Sequence, residues 1–105
     1  MEQVLTIPFS IGEKVYIINE LFNRGAKKYE WNVLEGIVEC LHIGRKLSFH
    51  GYVTDSYLKA RSTMTYSLIS PIPLEKAKKY VFSTRDEADK MIKYFEKLQA
   101  EGQYE

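Results

Sequence analysis

The sequence predicts an α+β domain: a small, strongly bent antiparallel sheet of about five strands with one amphipathic helix at its C-terminal end. Three observations predict it. Short β-branched and aromatic runs recur between turn residues from position 14 to 82, a capped apolar stripe of helical period follows them, and 105 residues suffice for one modest core. Residues 1–105 are therefore read as a single domain, with a β-rich body over 1–83 and a helix over about 85–101.

Each element follows from its residues. Gly12 precedes the run Lys14-Val15-Tyr16-Ile17-Ile18-Asn19, which predicts a first strand. A polar stretch containing Gly25 interrupts it. Residues 31–43 are long for one strand, and Gly36 inside them predicts a bulge or sharp bend. That reading places Trp31 and Val33 in the core before the bend and hands the face to Val38 and Cys40, or to Ile37, Leu41 and Ile43, after it; Cys40, mid-strand in an apolar stretch, is read as a core cysteine. Residues 47–55 alternate, with Leu47, Phe49, Gly51 and Val53 opposite Ser48, His50, Tyr52 and Thr54. Residues 63–70 repeat the pattern with Met64, Tyr66 and Leu68, and Pro71 and Pro73 then deny that strand a central place. Residues 80–82 read as a short last strand. Thr84-Arg85-Asp86-Glu87 is a capping box, after which Ala88, Met91, Ile92, Phe95 and Leu98 make one helical stripe that Gly102 ends.

Several function classes are excluded by composition. A single cysteine cannot form an internal disulfide, which points to a reducing compartment and a cytoplasmic location. Glu2 stands where a secretory signal carries positive charge, and Thr6 and Pro8 break the apolar run there. No stretch approaches the ~18 apolar residues of a membrane span, so no membrane partner is expected. His42, His50 and Cys40 fall short of a zinc set. Cys40 lacks a neighbour that would make it a nucleophile, and Ser48, His50 and Asp55 have the residue types of a triad without its motif. No catalytic residue, metal ligand or cofactor is assigned, and the chain is read as a non-enzyme.

Charge is distributed unevenly. Residues 1–39 hold four Lys/Arg against six acids (−2), residues 40–83 hold seven against two (+5), and residues 84–105 hold four against six (−2), which sums to the formal +1. Within the basic middle, cations interleave with tyrosines. Arg45, Lys46, Tyr57, Lys59, Arg61, Lys76, Lys78 and Lys79 are the candidate partner contacts, suited to phosphate backbones and base stacking or to a charged protein surface. The overall pI of about 7.8 is below that of strongly basic nucleic-acid binders.

The segments Gly12-Glu13-Lys14-Val15-Tyr16, Trp31 with Glu35-Gly36-Ile37-Val38, and Val81-Phe82-Ser83-Thr84-Arg85-Asp86-Glu87-Ala88 together resemble small SH3-like barrel proteins of phages and mobile elements of Gram-positive bacteria. The resemblance spans most of the chain and rests on bend, cap and core. It implies an SH3-like barrel and a mobile-element setting, in which such proteins include accessory factors and anti-CRISPR-type inhibitors of host defence. The expected function is a non-catalytic protein-binding module, an accessory protein or inhibitor of a host defence enzyme, using an exposed strand edge and charged loops. The alternative is a nucleic-acid-binding SH3-like domain that uses the basic 40–83 region, with DNA or RNA as partner. The oligomeric state stays open.

Overall fold

The computed structural model describes residues 9–104, without the side chains of Lys46, Tyr52, Val53 and Thr54. Most of the stretch weighed as a secretory signal, residues 1–8, lies outside the described residues. In chain order the elements are β1 (Lys14–Asn23), β2 (Lys28–His42), β3 (Arg45–Ser48), β4 (Gly51–Thr54), β5 (Tyr57–Ser62), β6 (Ile72–Pro73), α1 (Leu74–Tyr80), β7 (Val81–Phe82) and α2 (Arg85–Ala100). Five strands form one antiparallel sheet in the order β6-β5-β2-β1-β7, while β3 and β4 form a separate two-stranded ribbon. The sheet is open. Its edge strands β6 and β7 are two residues each and α1 connects them, so no ladder joins the edges into a barrel.

Alternate residues of the central hairpin feed two apolar layers. Val15 and Ile17 of β1, Val38 of β2, and Leu58 and Ala60 of β5 pack with Phe9, Val81 and Ala77 of α1. On the other face Ile18 packs with Ala88 and Phe95 of α2, surrounded by Tyr16, Trp31, Val33 and Phe82. Covered on both sides, β1 reads as a continuous apolar run rather than an alternating one. Gly36 leaves little room for a side chain. A Cβ there would lie 3.2 Å from the Arg61 carbonyl oxygen and 3.2 Å from Ile69 Cδ1, so a larger residue would separate β2 from its neighbours.

Several expectations are corrected. Gly36 lies in unbroken register opposite Val15 and is not a bulge; the irregularity falls between Val38 and Cys40. Residues 47–55 are not one strand but parts of a hairpin, turned at Phe49-His50 because Gly51 adopts φ +109°. Residues 63–70 are not a strand: the Ser62 hydroxyl accepts from the Met64 and Thr65 N–H groups, Tyr66 is left-handed at φ +58°, and only Leu68 bridges to Arg61. The missing strand is β5, whose inward Leu58 and Ala60 alternate with Tyr57, Lys59 and Arg61. Finally, a second helix, α1, stands where a connection was expected. Pro73 opens it, Glu75 lies in its first turn, and Lys78 and Lys79 lie in its last, as the helix dipole favours.

The C-terminal helix matches its expectation. Thr84 Oγ1 accepts from the Glu87 N–H at 3.3 Å, but the Glu87 carboxylate accepts from the Thr84 hydroxyl at 2.9 Å instead of reaching the cap's own N–H. Replacing Thr84 with Ala should cost about 1 kcal/mol in urea titration. At its far end α2 is tied to the sheet by Gln99. Its Oε1 accepts from the Tyr29 N–H at 2.7 Å, and its Nε2 donates to the Tyr29 carbonyl at 3.0 Å.

Candidate functional site: a projecting ribbon and an uncovered sheet face

The side of the sheet that α2 packs on is only partly covered. Trp31 and Val33 lie beneath the helix, but farther along β2 the same side carries Ile37, then Cys40 and His42. Their cross-strand partners on β5 are Arg61, Lys59 and Tyr57. The irregularity in β2 puts Cys40 there. Pairing steps from Val38↔Ala60 to Cys40↔Lys59, which leaves Glu39 as an extra residue and reverses the alternation. Leu41 thereby turns inward to the apolar layer, and Cys40, expected in the core, is exposed.

Beyond His42↔Tyr57 the two strands continue into the β3–β4 ribbon. The Asp55 N–H donates to the Gly44 carbonyl at 2.8 Å, and pairing resumes from Arg45↔Thr54 to Ser48↔Gly51. The result is an arm projecting from the body. A radius of gyration of 15.4 Å exceeds the ~13 Å of a compact chain this long. The arm keeps large apolar side chains in water: Ile43 is 50% exposed, Leu47 73% and Phe49, at the tip, 97%.

The candidate cations differ in the partners they have among the described residues. Arg61 makes a two-pronged contact with Glu39, at 2.8 Å from Nε and 3.1 Å from Nη2, and its Nη1 donates to the Tyr66 carbonyl at 2.5 Å. This pairing holds the Glu39 carboxyl below its ordinary range and raises Arg61. Lys14 and Glu35 pair at 2.8 Å, and the carboxylate raises the Lys14 ammonium. Lys59 instead stands 5.5 Å from the centre of the Tyr57 ring, whose other contact is His42, stacked at 4.7 Å with 19° between planes. Arg45 is exposed on the arm, and the Lys46 side chain lies outside the described residues.

The structure therefore gathers Arg45, Tyr57, Lys59 and Arg61, with the backbone of Lys46, on the arm and the strand leading to it. Lys76, Lys78 and Lys79 stand apart on α1, whose start is joined to the base of the arm by Tyr57↔Pro73 and by the Leu74 N–H donating to the Ser56 carbonyl at 3.1 Å. Lys79, itself exposed, has its Nζ 5.2 Å from the ring centre of Phe95 and 5.9 Å from those of Tyr80 and Tyr104. Sequence reasoning read Leu47 and Phe49 as one side of an alternating strand and Ile43 as the end of a long one, and did not single them out as exposed. The signal was Gly51, which suits the end of a tight turn at Phe49-His50.

Beside Lys79, Glu20 accepts from the Trp31 indole N–H at 3.1 Å and from the Tyr104 hydroxyl, while the Tyr80 and Tyr104 hydroxyls lie 3.0 Å apart. Burial, and then these hydrogen bonds, push the Tyr104 phenol well above its ordinary 10.0. The folded chain holds that proton more tightly than the unfolded one, so the stabilisation is complete below about pH 10 and is lost as pH rises beyond it. Melting temperatures measured from about pH 8 to 11 should fall less steeply for Tyr104→Phe than for the parent.

Among the described residues no three His, Cys, Asp or Glu side chains come together as metal ligands, and no helix is long and apolar enough to cross a membrane. Comparison with protein-family models, curated proteins and solved structures finds no match to this chain.

Proposed function

We propose that the chain is a non-catalytic protein-binding module that holds its partner with the β3–β4 arm and the sheet face at its base. One observation carries the reading: Ile43, Leu47 and Phe49 are half or more exposed at the base and along a projecting ribbon, and Phe49 meets the neighbouring His50 ring and no other ring among the described residues. Exposed aromatic and aliphatic side chains grouped on one element are the usual anchors of a protein interface. The ion-paired Glu39–Arg61 and Lys14–Glu35 give the adjoining face little net charge, which suits a partner surface that must be desolvated. An accessory protein or inhibitor of a host defence enzyme, as the sequence resemblance implies, fits this mode of action. The test is a photo-crosslinking side chain at position 49, compared with one at exposed Lys93 on α2. In extract of the native host, position 49 is expected to capture a discrete protein that position 93 does not; equal labelling from both sites counts against the reading.

A second reading rests on a different observation: Arg45 lies on this arm with Lys59 and the stacked His42–Tyr57 pair on the strands at its base, and a two-stranded ribbon fits a DNA major groove. It requires binding to DNA or RNA that weakens steeply with salt and that falls when Arg45 and Lys59 become Gln. Absence of a gel shift at low salt removes it.

A further inference from the structure

We infer that the outer edge of β2 at Trp31 and Val33 is a strand-addition site for an extended segment of a partner protein, an assignment that rests on the protein-binding reading. The argument starts from the ladder. The Val38 N–H donates to the Glu13 carbonyl at 2.9 Å and the Gly12 N–H to the Val38 carbonyl at 2.7 Å, so even-numbered residues of β2 direct their main chain toward β1. In an antiparallel pair the intervening residues must then direct theirs outward. These are Tyr29, Trp31, Val33 and Glu35. β5 covers this side only from Gly36 onward.

Both ends of the uncovered stretch are occupied. The Glu35 carbonyl accepts from the Thr63 N–H at 3.1 Å and from its hydroxyl at 3.3 Å. At Tyr29 the occupant is the Gln99 carboxamide, which is chemically a single peptide group. It meets the Tyr29 N–H with an acceptor and the Tyr29 carbonyl with a donor, as an incoming strand would. Between them, among the described residues, no group pairs with the outward N–H and C=O of Trp31 and Val33. Donor–acceptor sets repeating every two residues, roughly 6.8 Å apart, are met by an extended main chain.

Side-chain chemistry narrows the occupant. Residues of the added strand opposite Trp31 and Val33 fall on the side of α2. The residue between them stands opposite exposed Asn32, on the side of the sheet where Leu34, Ile69 and Ile72 help line a cleft of about 300 Å³. A side chain there that reaches past Asn32 into that cleft is expected to be apolar. Gln99 limits the site to the segment beyond Tyr29 and blunts the edge against indiscriminate pairing.

The test uses a phage-displayed library of random ten-residue peptides selected on the full chain. A selected peptide is then titrated while backbone amides are followed by NMR. Shifts are expected at the Trp31 and Val33 amides. Binding should weaken tenfold or more for Val33→Pro, which removes an N–H that the β1 ladder does not use. Because proline also alters a packed side chain, a peptide N-methylated on the amides facing β2 should lose binding to the unaltered protein as well. Gln99→Ala should extend the footprint to Tyr29. No enriched peptide, shifts confined to the β3–β4 arm, or self-association through this edge without peptide binding would each overturn the assignment. If position 49 still captures a partner when this fails, the protein-binding reading survives and only the β2 edge is lost.

Discussion

Replacing Phe95 with Ala is expected to cost about 3–5 kcal/mol, enough to leave much of the chain unfolded at 25 °C, since domains of this kind are stable by only about 5–15 kcal/mol. Phe95 is fully buried, and its ring lies 5.7 Å from Trp31 and 5.4 Å from both Tyr80 and Tyr104. It joins α2 to β2, to the end of α1 and to the C-terminal segment. The other side of the sheet has its own packing around Leu58 and Val38, so truncating Phe95 opens a cavity that those residues cannot fill. Phe95→Leu keeps most of the volume and should lose clearly less. Urea denaturation followed by tryptophan fluorescence separates the two, because Trp31 lies in the same cluster. A loss below about 1 kcal/mol for the alanine variant would mean that this layer does not hold the helix to the sheet.

The second large effect concerns binding and leaves the fold alone. Replacing Leu47 and Phe49 with Ser removes side chains that are 73% and 97% exposed, so folding stability should change by no more than about 0.5 kcal/mol for each. Affinity for the partner should nonetheless fall by about 2 kcal/mol or more, roughly thirtyfold, because anchors at an interface dominate its energy. The opposing outcomes make the pair informative. A buried core residue lost to alanine reports on the fold, whereas an arm residue lost to serine reports on the partner. The arm proposal fails if the double variant binds the captured protein as tightly as the parent does.

Much of the fold was legible because its signals are local. The capping residues at Thr84 and Glu87 and the stripe from Ala88 through Phe95 to Leu98 lie within one helix, so adjacent residues carried all the information needed. The first strand was equally clear from Lys14 to Asn19, although it runs on to Asn23 because β2 pairs with it along its whole length. The candidate site was less legible. Tyr57, Lys59 and Arg45 were recognised by residue type, but their grouping depends on which strand pairs with which. Arg61 and Lys79, the same kind of residue in sequence, are held by Glu39 and by three aromatic rings. The short helix from Leu74 to Tyr80 was masked by the prolines before it.

The sequence by itself determined the α+β class, the uneven charge along the chain and the C-terminal helix, since period, capping and composition act over a few residues. Tertiary structure decided the rest. An alternating stretch has the same pattern whether a layer covers it or water does, so only packing shows that Leu47 and Phe49 project on an arm while Leu58 and Ala60 face the core. One extra residue at Glu39 likewise reverses every side chain after it, placing Cys40 outside and Leu41 inside. Whether the edges of the sheet meet also depends on elements distant in sequence: with β6 and β7 only two residues each and α1 between them, the sheet stays open.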